Sequence, residues 1–207
     1  MSTPIGKDIN DSQVEGKKPR RVLDKTGLIK LNLPPRQLQT ISPCKQMEID
    51  MRENIKKISH IIPGLYLGNA INAMSMDQSK VAAILNMTRE YSFDPIKHQG
   101  IEYLQCPLDD NKFGQSILLN EYLKSTFDFI DQHIDHGGIY VHCTQGVSRS
   151  STVVIGYLMM KYKKTFDETF KFVQSKRSVI CPFIDFAGNL LKLEDMIVMD
   201  PTILFPE

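Results

Sequence analysis

The sequence contains no tryptophan. It has no run near the roughly 18 apolar residues that a membrane-spanning helix needs and no Cys-x-x-Cys pair. Cys44, Cys106, Cys143 and Cys181 are widely and irregularly spaced, so neither a zinc site nor a disulfide framework is expected, and each reads as a free thiol. The histidines His60, His98, His133 and His136 lack a spacing that brings in a third ligand, so no metal and no other cofactor is expected. A Gly-x4-Gly-Lys-Ser/Thr motif is absent, which excludes nucleotide hydrolysis through a Walker loop as the main function. Net charge is only +1, so no global field favours nucleic acid. The residues after Met1 are polar rather than the apolar core of a secretory signal, and Phe205-Pro206-Glu207 is no prenylation box. The expected home is the cytoplasm, with the nucleus also open, and no membrane partner is expected.

What is present is the composition of a soluble globular protein: 42% hydrophobic and 24% charged over 207 residues, enough for one domain with a full core plus a tail. Residues 1–54 read as a basic, loosely packed or disordered tail, with eight basic against four acidic residues from Met1 to Arg36. Within it, Leu28 to Leu33 alternates like a short strand. From Ile55 to about residue 197 the texture is that of a folded domain, followed by a short C-terminal tail, 198–207.

Ile58 to Leu67 reads as strand, turn and strand around Pro63-Gly64. Asn69 to Lys80 is helix-like, Val81 to Leu85 a buried strand and Ile101 to Cys106 another. Ile117 to His136 predicts a long amphipathic helix with Leu118, Tyr122, Phe127, Ile130 and Ile134 near one face, stopped by Gly137-Gly138. Ile139 to Val141 is a strand, and a polar loop then leads into a helix through Tyr157 and Met160. Thr165-Phe166-Asp167-Glu168 has the pattern of a capping box opening the next helix, and Phe186 to Met196 makes the last. Alternating strands and helices predict an α/β layer fold around one central sheet.

The informative stretch is Val141-His142-Cys143-Thr144-Gln145-Gly146-Val147-Ser148-Arg149-Ser150. It lies between a strand and a helix, where backbone N–H groups and a helix N-terminus converge into an anion site. Gly146 lets the backbone curl close to a ligand. Arg149 grips two oxygens of a phosphate at once and keeps its charge. Cys143 opens the loop, and a thiol must become a thiolate to attack. Amides that hold a phosphate also hold a thiolate, which is why a cysteine and an arginine at opposite ends of a five-residue loop form one chemical unit.

Val-His-Cys-x5-Arg-Ser, continued by Ser151-Thr152-Val153-Val154-Ile155-Gly156-Tyr157-Leu158-Met159, resembles the signature of the dual-specificity branch of the protein tyrosine phosphatases. The similarity runs from about Ile58 to Glu194 and takes in Gly64 to Gly68, Tyr103 to Pro107, Phe127 to Asp131 and Pro182 to Leu191. It implies a mainly parallel sheet flanked by helices, with the phosphate-binding loop between the last strand and the following helix. Carried over residue by residue, it makes Cys143 the nucleophile of a phosphocysteine mechanism. Arg149 and the amides of Thr144, Gln145, Gly146, Val147 and Ser148 would hold the phosphoryl oxygens. Ser150 would donate to the departing sulfur, and His142 would organise the loop from behind. The family places its general acid a few residues after a Tyr-x-x-x-Pro strand. Here Tyr103-Leu-Gln-Cys-Pro107-Leu-Asp-Asp110 offers Asp110, with Asp109 as the fallback.

Strictly tyrosine-specific members close their site with Trp-Pro-Asp, which a chain without tryptophan cannot supply. A domain of about 140 residues implies a shallow pocket open to phosphoserine and phosphothreonine as well as phosphotyrosine. The N-terminal 55 or so residues are too few for the extra domain of the large MAP kinase phosphatases, so the chain is similar to the small atypical members. The lysines usual in lipid-phosphatase loops are missing, and the Arg-Thr-Gly of RNA 5′-triphosphatases is replaced by Arg149-Ser150-Ser151. Phosphoinositide and RNA substrates, and a non-catalytic phosphoprotein-binding module, are the alternatives; the module is disfavoured because Cys143 and Arg149 are both present. Pro182-Phe183 stands where the family usually has Pro-Asn. Cys106 and Cys181 read as ordinary buried thiols, with a resolving thiol for oxidised Cys143 as the lesser reading of Cys106. The expected partner is a phosphoprotein substrate. Lys17-Lys-Pro-Arg-Arg21 followed by Leu28 to Leu33 is similar to the peptides that dock on MAP kinases, against the plainer reading of a solvated basic tail.

Overall fold

The computed structural model describes residues 22–23, 29–30, 43–77, 79–92, 99–108 and 116–200. The chain divides into two units, Met1–Ile41 and Ser42–Glu207. In the first, β1 (Val22–Leu23) and β2 (Ile29–Lys30) pair antiparallel. The rest of the Lys17 to Leu33 segment lies outside the described residues.

The second unit opens with α1, Pro43–Ile55. Residues 43–54, assigned to the loose tail on sequence texture, are therefore helical. Proline suits the first helical position because its missing N–H would have no partner there. The helix is supported along its exposed surface by Gln46–Asp50 at 2.8 Å, Arg52–Glu48 at 2.6 Å and Lys56–Glu53 at 2.7 Å. Such pairs lie one turn apart. Met47, Met51 and Ile55 recur one turn apart, but Met47 and Met51 stay largely exposed.

A sheet of five strands follows in the order β3–β4–β7–β5–β6. The strands are β3 (Ser59–Ile62), β4 (Leu65–Asn69), β5 (Ala83–Asn86), β6 (Glu102–Gln105) and β7 (Ile139–Cys143). β3 and β4 form an antiparallel hairpin, and the remaining neighbours are parallel. β7 lies in the middle with all five residues buried. Strand alternation sorts its side chains. Ile139, Val141 and Cys143 join the main core together with Leu65, Leu67, Ala83 and Leu85. Tyr140 turns to a smaller cluster with Ala73, Met76, Val81, Ile84 and Ile101.

The main core is closed by α3 (Ser116–Ile134), α4 (Arg149–Tyr162), α5 (Phe166–Lys176) and α6 (Ile184–Met199). α4 is buried from Arg149 to Met160 and is packed against β7, α3, α5 and α6. From Val153 to Met160 its sequence is apolar on every face, as a central helix requires. The capping box at Thr165 and Glu168 is formed in both directions.

The helix expected over Asn69 to Lys80 is much shorter: α2 covers Ala70–Ala73 only. Asn69 caps it, accepting from Asn72 N at 2.8 Å. Beyond it, Asp77 accepts from the backbone N–H and hydroxyl of Ser79. Short polar side chains that bond the local backbone compete with helix in this way.

Candidate active site

β7 ends at Cys143 and α4 begins at Arg149, so the expected loop is a strand-to-helix connection in the middle of the sheet. Cys143 is 2% exposed. Its Sγ accepts from Gly146 N at 3.2 Å and from Ser150 Oγ at 3.2 Å. Both donors hold the sulfur in place. Arg149, also buried, donates through Nη2 to Thr144 Oγ1 at 2.8 Å and through Nη1 to Leu108 O at 3.0 Å. Cys143, Thr144, Gly146, Arg149 and Ser150 are thus brought together.

The loop carbonyls point outward to fixed donors. Thr144 O accepts from Ala70 N at 3.2 Å, and Val147 O accepts from Cys181 N at 2.8 Å and from Ser151 Oγ at 2.6 Å. Ser148 O takes Thr152 N at 2.9 Å, the first bond of α4. The Ser148 hydroxyl does not cap that helix; it accepts from Phe183 N at 3.1 Å. Phe183, the departure from the family's Pro-Asn, therefore contributes its backbone to the loop surroundings. Gln145 is the exposed member of the loop.

Gly146 has φ +69°, a left-handed backbone that favours glycine. A Cβ there would lie 2.3 Å from Gly68 O. Gly68 is equally confined, because its own Cβ would fall 2.1 Å from the Tyr140 hydroxyl. Tyr140 in turn donates to Asn69 O at 2.9 Å, and burial pushes its phenol well above the usual range. His142 lies beside it with rings 5.9 Å apart and its Nδ1 3.3 Å from Cys143 O. It sits on the sheet face opposite Cys143.

Several contributors carry no signal in the sequence. Arg177 is 2% exposed and reaches the loop from behind, donating through Nε to Gly146 O at 2.7 Å and through Nη2 to Gln145 O at 3.0 Å. Burial lowers its pKa, while the Tyr140 phenol and the Cys143 sulfur act in the opposite sense. Asn86, fully buried, ties Tyr91 O, Tyr103 and Thr88 together at 2.6–2.8 Å. That network shapes the turn carrying Glu90, whose Oε2 lies 3.4 Å from Arg149 Nη1. Partial burial works to raise the Glu90 pKa, but the backbone N–H groups of Glu90 and Arg89 and the Arg149 charge outweigh it and hold it below the usual range.

Asp110 and Asp109, the expected acid and its fallback, lie outside the described residues. Leu108, the residue before them, has its carbonyl on Arg149. Burial raises the Cys106 thiol against the opposing bond from Ser125, which suits an inert core residue. Among the described residues no group of acidic, cysteine and histidine side chains could hold a metal ion.

The comparisons agree with this geometry. The family model "Dual specificity phosphatase, catalytic domain" matches residues 65–196. Human dual specificity protein phosphatase 1 is 34% identical over 140 residues, covering 67% of this chain and 37% of its own. Dual specificity protein phosphatase 1-A of Xenopus laevis is 30% identical over 169 residues, covering 81% of this chain and 44% of its own. The chain thus spans less than half the length of these relatives. A mouse putative dual specificity phosphatase, solved in complex with zinc tungstate, superposes with TM-score 0.59 at 23% identity, covering 70% of this chain and 91% of that one. A strand–loop–helix holding Cys143, Arg149 and Ser150 inside the span of that family model has one reading: the chain belongs to the dual-specificity phosphatases of the protein tyrosine phosphatase superfamily.

Proposed function

We propose that the protein hydrolyses phosphotyrosine, phosphoserine and phosphothreonine on protein substrates through a phosphocysteine intermediate. The observation that carries this reading is the convergence of Gly146 N and Ser150 Oγ on Cys143 Sγ, with the Arg149 guanidinium bonded to the same loop. In the first step the Cys143 sulfur attacks phosphorus as the ester P–O bond breaks. The leaving oxygen takes a proton from Asp110, with Asp109 as the fallback. The loop amides and Arg149 hold the three equatorial oxygens while charge redistributes. In the second step the same carboxylate takes a proton from water. The water oxygen then bonds to phosphorus, the P–S bond breaks, and Ser150 donates to the departing sulfur.

The test is metal-free hydrolysis of an aryl phosphate. Wild type turns over, Cys143→Ser does not, and Asp110→Ala falls about 10²–10⁴-fold, the range of general acid catalysis. An Asp110→Ala enzyme of full activity moves the acid to Asp109, and an inert wild type removes the catalytic reading.

The tail around Lys17 to Leu33 supports docking on a MAP kinase, by its basic cluster and spaced aliphatics. A pull-down in which removal of residues 1–33 leaves kinase capture unchanged rejects that partner. No helix among the described residues is long and apolar enough to cross a membrane, and the proposed setting is the cytoplasm or nucleus.

A further inference from the structure

Arg177 reaches in two directions. Toward the loop it holds Gln145 O and Gly146 O. Away from the loop it donates through Nη1 to Lys57 O at 2.7 Å and Ser59 Oγ at 3.3 Å, and through Nη2 to Ile55 O at 3.2 Å. These acceptors belong to the end of α1 and the entry into β3. Asn69 adds a second tie, donating to Ile55 O at 2.8 Å while it caps α2. Among the described residues no carboxylate faces Arg177. Burying a guanidinium against neutral acceptors is costly, and filling the same space with an apolar side chain would be cheaper.

The return is orientation. In a trans peptide the carbonyl and the N–H point in opposite directions. With the Gln145 carbonyl turned out to Arg177, the Gly146 N–H turns inward, and this is the N–H that donates to Cys143 Sγ. With the Gly146 carbonyl turned out to the same guanidinium, the Val147 N–H also faces away from Arg177. One side chain therefore sets adjacent peptide planes, and its planar fork matches the spacing of their oxygens.

The geometry points to Arg177 as a positioning residue for the phosphatase reaction, aiming the Gly146 and Val147 amides at the phosphoryl group by bracing the loop against the C-terminal turn of α1. The inference rests on the proposed role of the loop as a phosphate cradle. The brace starts outside the family match, since Ile55, Lys57 and Ser59 all precede residue 65. Residues ahead of the matched domain are thereby part of what shapes its active loop.

The test compares the full-chain wild type, Arg177→Met and Arg177→Lys for aryl phosphate hydrolysis per titrated active site, inhibition by orthovanadate, and thermal unfolding. Wild-type turnover that vanishes in Cys143→Ser first secures the underlying reading, so that its failure is separate from failure of the arginine's role. In Arg177→Met, kcat/KM falls about 10²-fold, the scale of a misplaced catalytic group. The vanadate inhibition constant rises by a similar factor, because vanadate uses the same amides. Arg177→Lys keeps the charge but cannot span both carbonyls, and it recovers less than about tenfold of the loss. A merely structural arginine would lower the melting temperature and the active fraction while leaving both constants unchanged. Either variant, folded and within about twofold of wild type in kcat/KM and vanadate inhibition, overturns the assignment. Where the methionine variant does not fold, the lysine variant decides by the same criterion.

Discussion

Replacing Ser150 by alanine removes the hydroxyl that sits 3.2 Å from Cys143 Sγ. Ser150 lies in the first turn of α4 with no exposure, and alanine is a good helix former, so the fold is little affected. A hydrogen bond to a charged group is worth about 1.5–3 kcal/mol. In the proposed mechanism the sulfur is the leaving group when the phosphocysteine is hydrolysed, so that step should slow by about 10- to 100-fold at 1.36 kcal/mol per decade. In the attacking step the same bond is present in the free enzyme, and its loss leaves a more nucleophilic sulfur. Phosphoryl transfer to Cys143 therefore keeps its rate, kcat falls, KM falls in proportion, and kcat/KM is preserved. Stopped-flow release of the aryl alcohol should show a burst approaching one equivalent per active site, followed by slow turnover. A kcat within about twofold of wild type with no burst would refute the reasoning, and so would a parallel fall of kcat and kcat/KM without a burst.

Gly146→Ala forces an L side chain into a φ of +69° and a Cβ to 2.3 Å from Gly68 O. The backbone strain alone is about 1–2 kcal/mol. Vanadate protection against iodoacetate should be lost and the melting temperature should drop; retained protection would show that the loop can move off β4. Asp131 joins α3 to α4 through Lys161 Nζ and the Tyr157 hydroxyl, both at 2.9 Å. The Lys161 hydrogen bond first, then the Tyr157 bond and the Lys161 charge, hold its pKa below the usual value against the effect of burial. A depressed carboxylate contributes stability above its unfolded pKa, about 4, and loses it as the pH falls through the lower folded value. Asp131 is about half exposed, so Asp131→Asn should cost ~0.5–1 kcal/mol in urea unfolding at pH 7. The difference should shrink as the pH falls below the unfolded value, about 4, and one that grows in acid contradicts the pairing.

The proximity of Cys143 and Arg149 was legible because it is local: one strand end, one turn and one helix start place them side by side. Strand periods were equally readable, since Leu65, Leu67, Ile139 and Val141 alternate with residues of the opposite face. Arg177 was not legible. It stands 32 residues from Gln145 in a mixed polar stretch, and nothing local distinguishes it from a surface arginine. α1 was missed because its short apolar period, Met47, Met51 and Ile55, is set among paired charges and stays largely exposed. The shortness of α2 depended on Asp77 and Ser79 turning their side chains to the chain itself. Glu90 reaches Arg149 only through the Asn86 network, which no short-range pattern announces.

The burial of α4 from Arg149 to Met160 bears on how the proposed activity would be lost. Its amides, like those of β7, should be among the last to exchange with solvent deuterium, exchanging only when the whole domain opens. The phosphate loop is strung between these two slowest segments. A destabilising substitution elsewhere in the core will therefore lower the number of working molecules long before it softens the loop in those that remain. Heat and denaturant should titrate the enzyme out as all-or-none units, each fully competent until it unfolds.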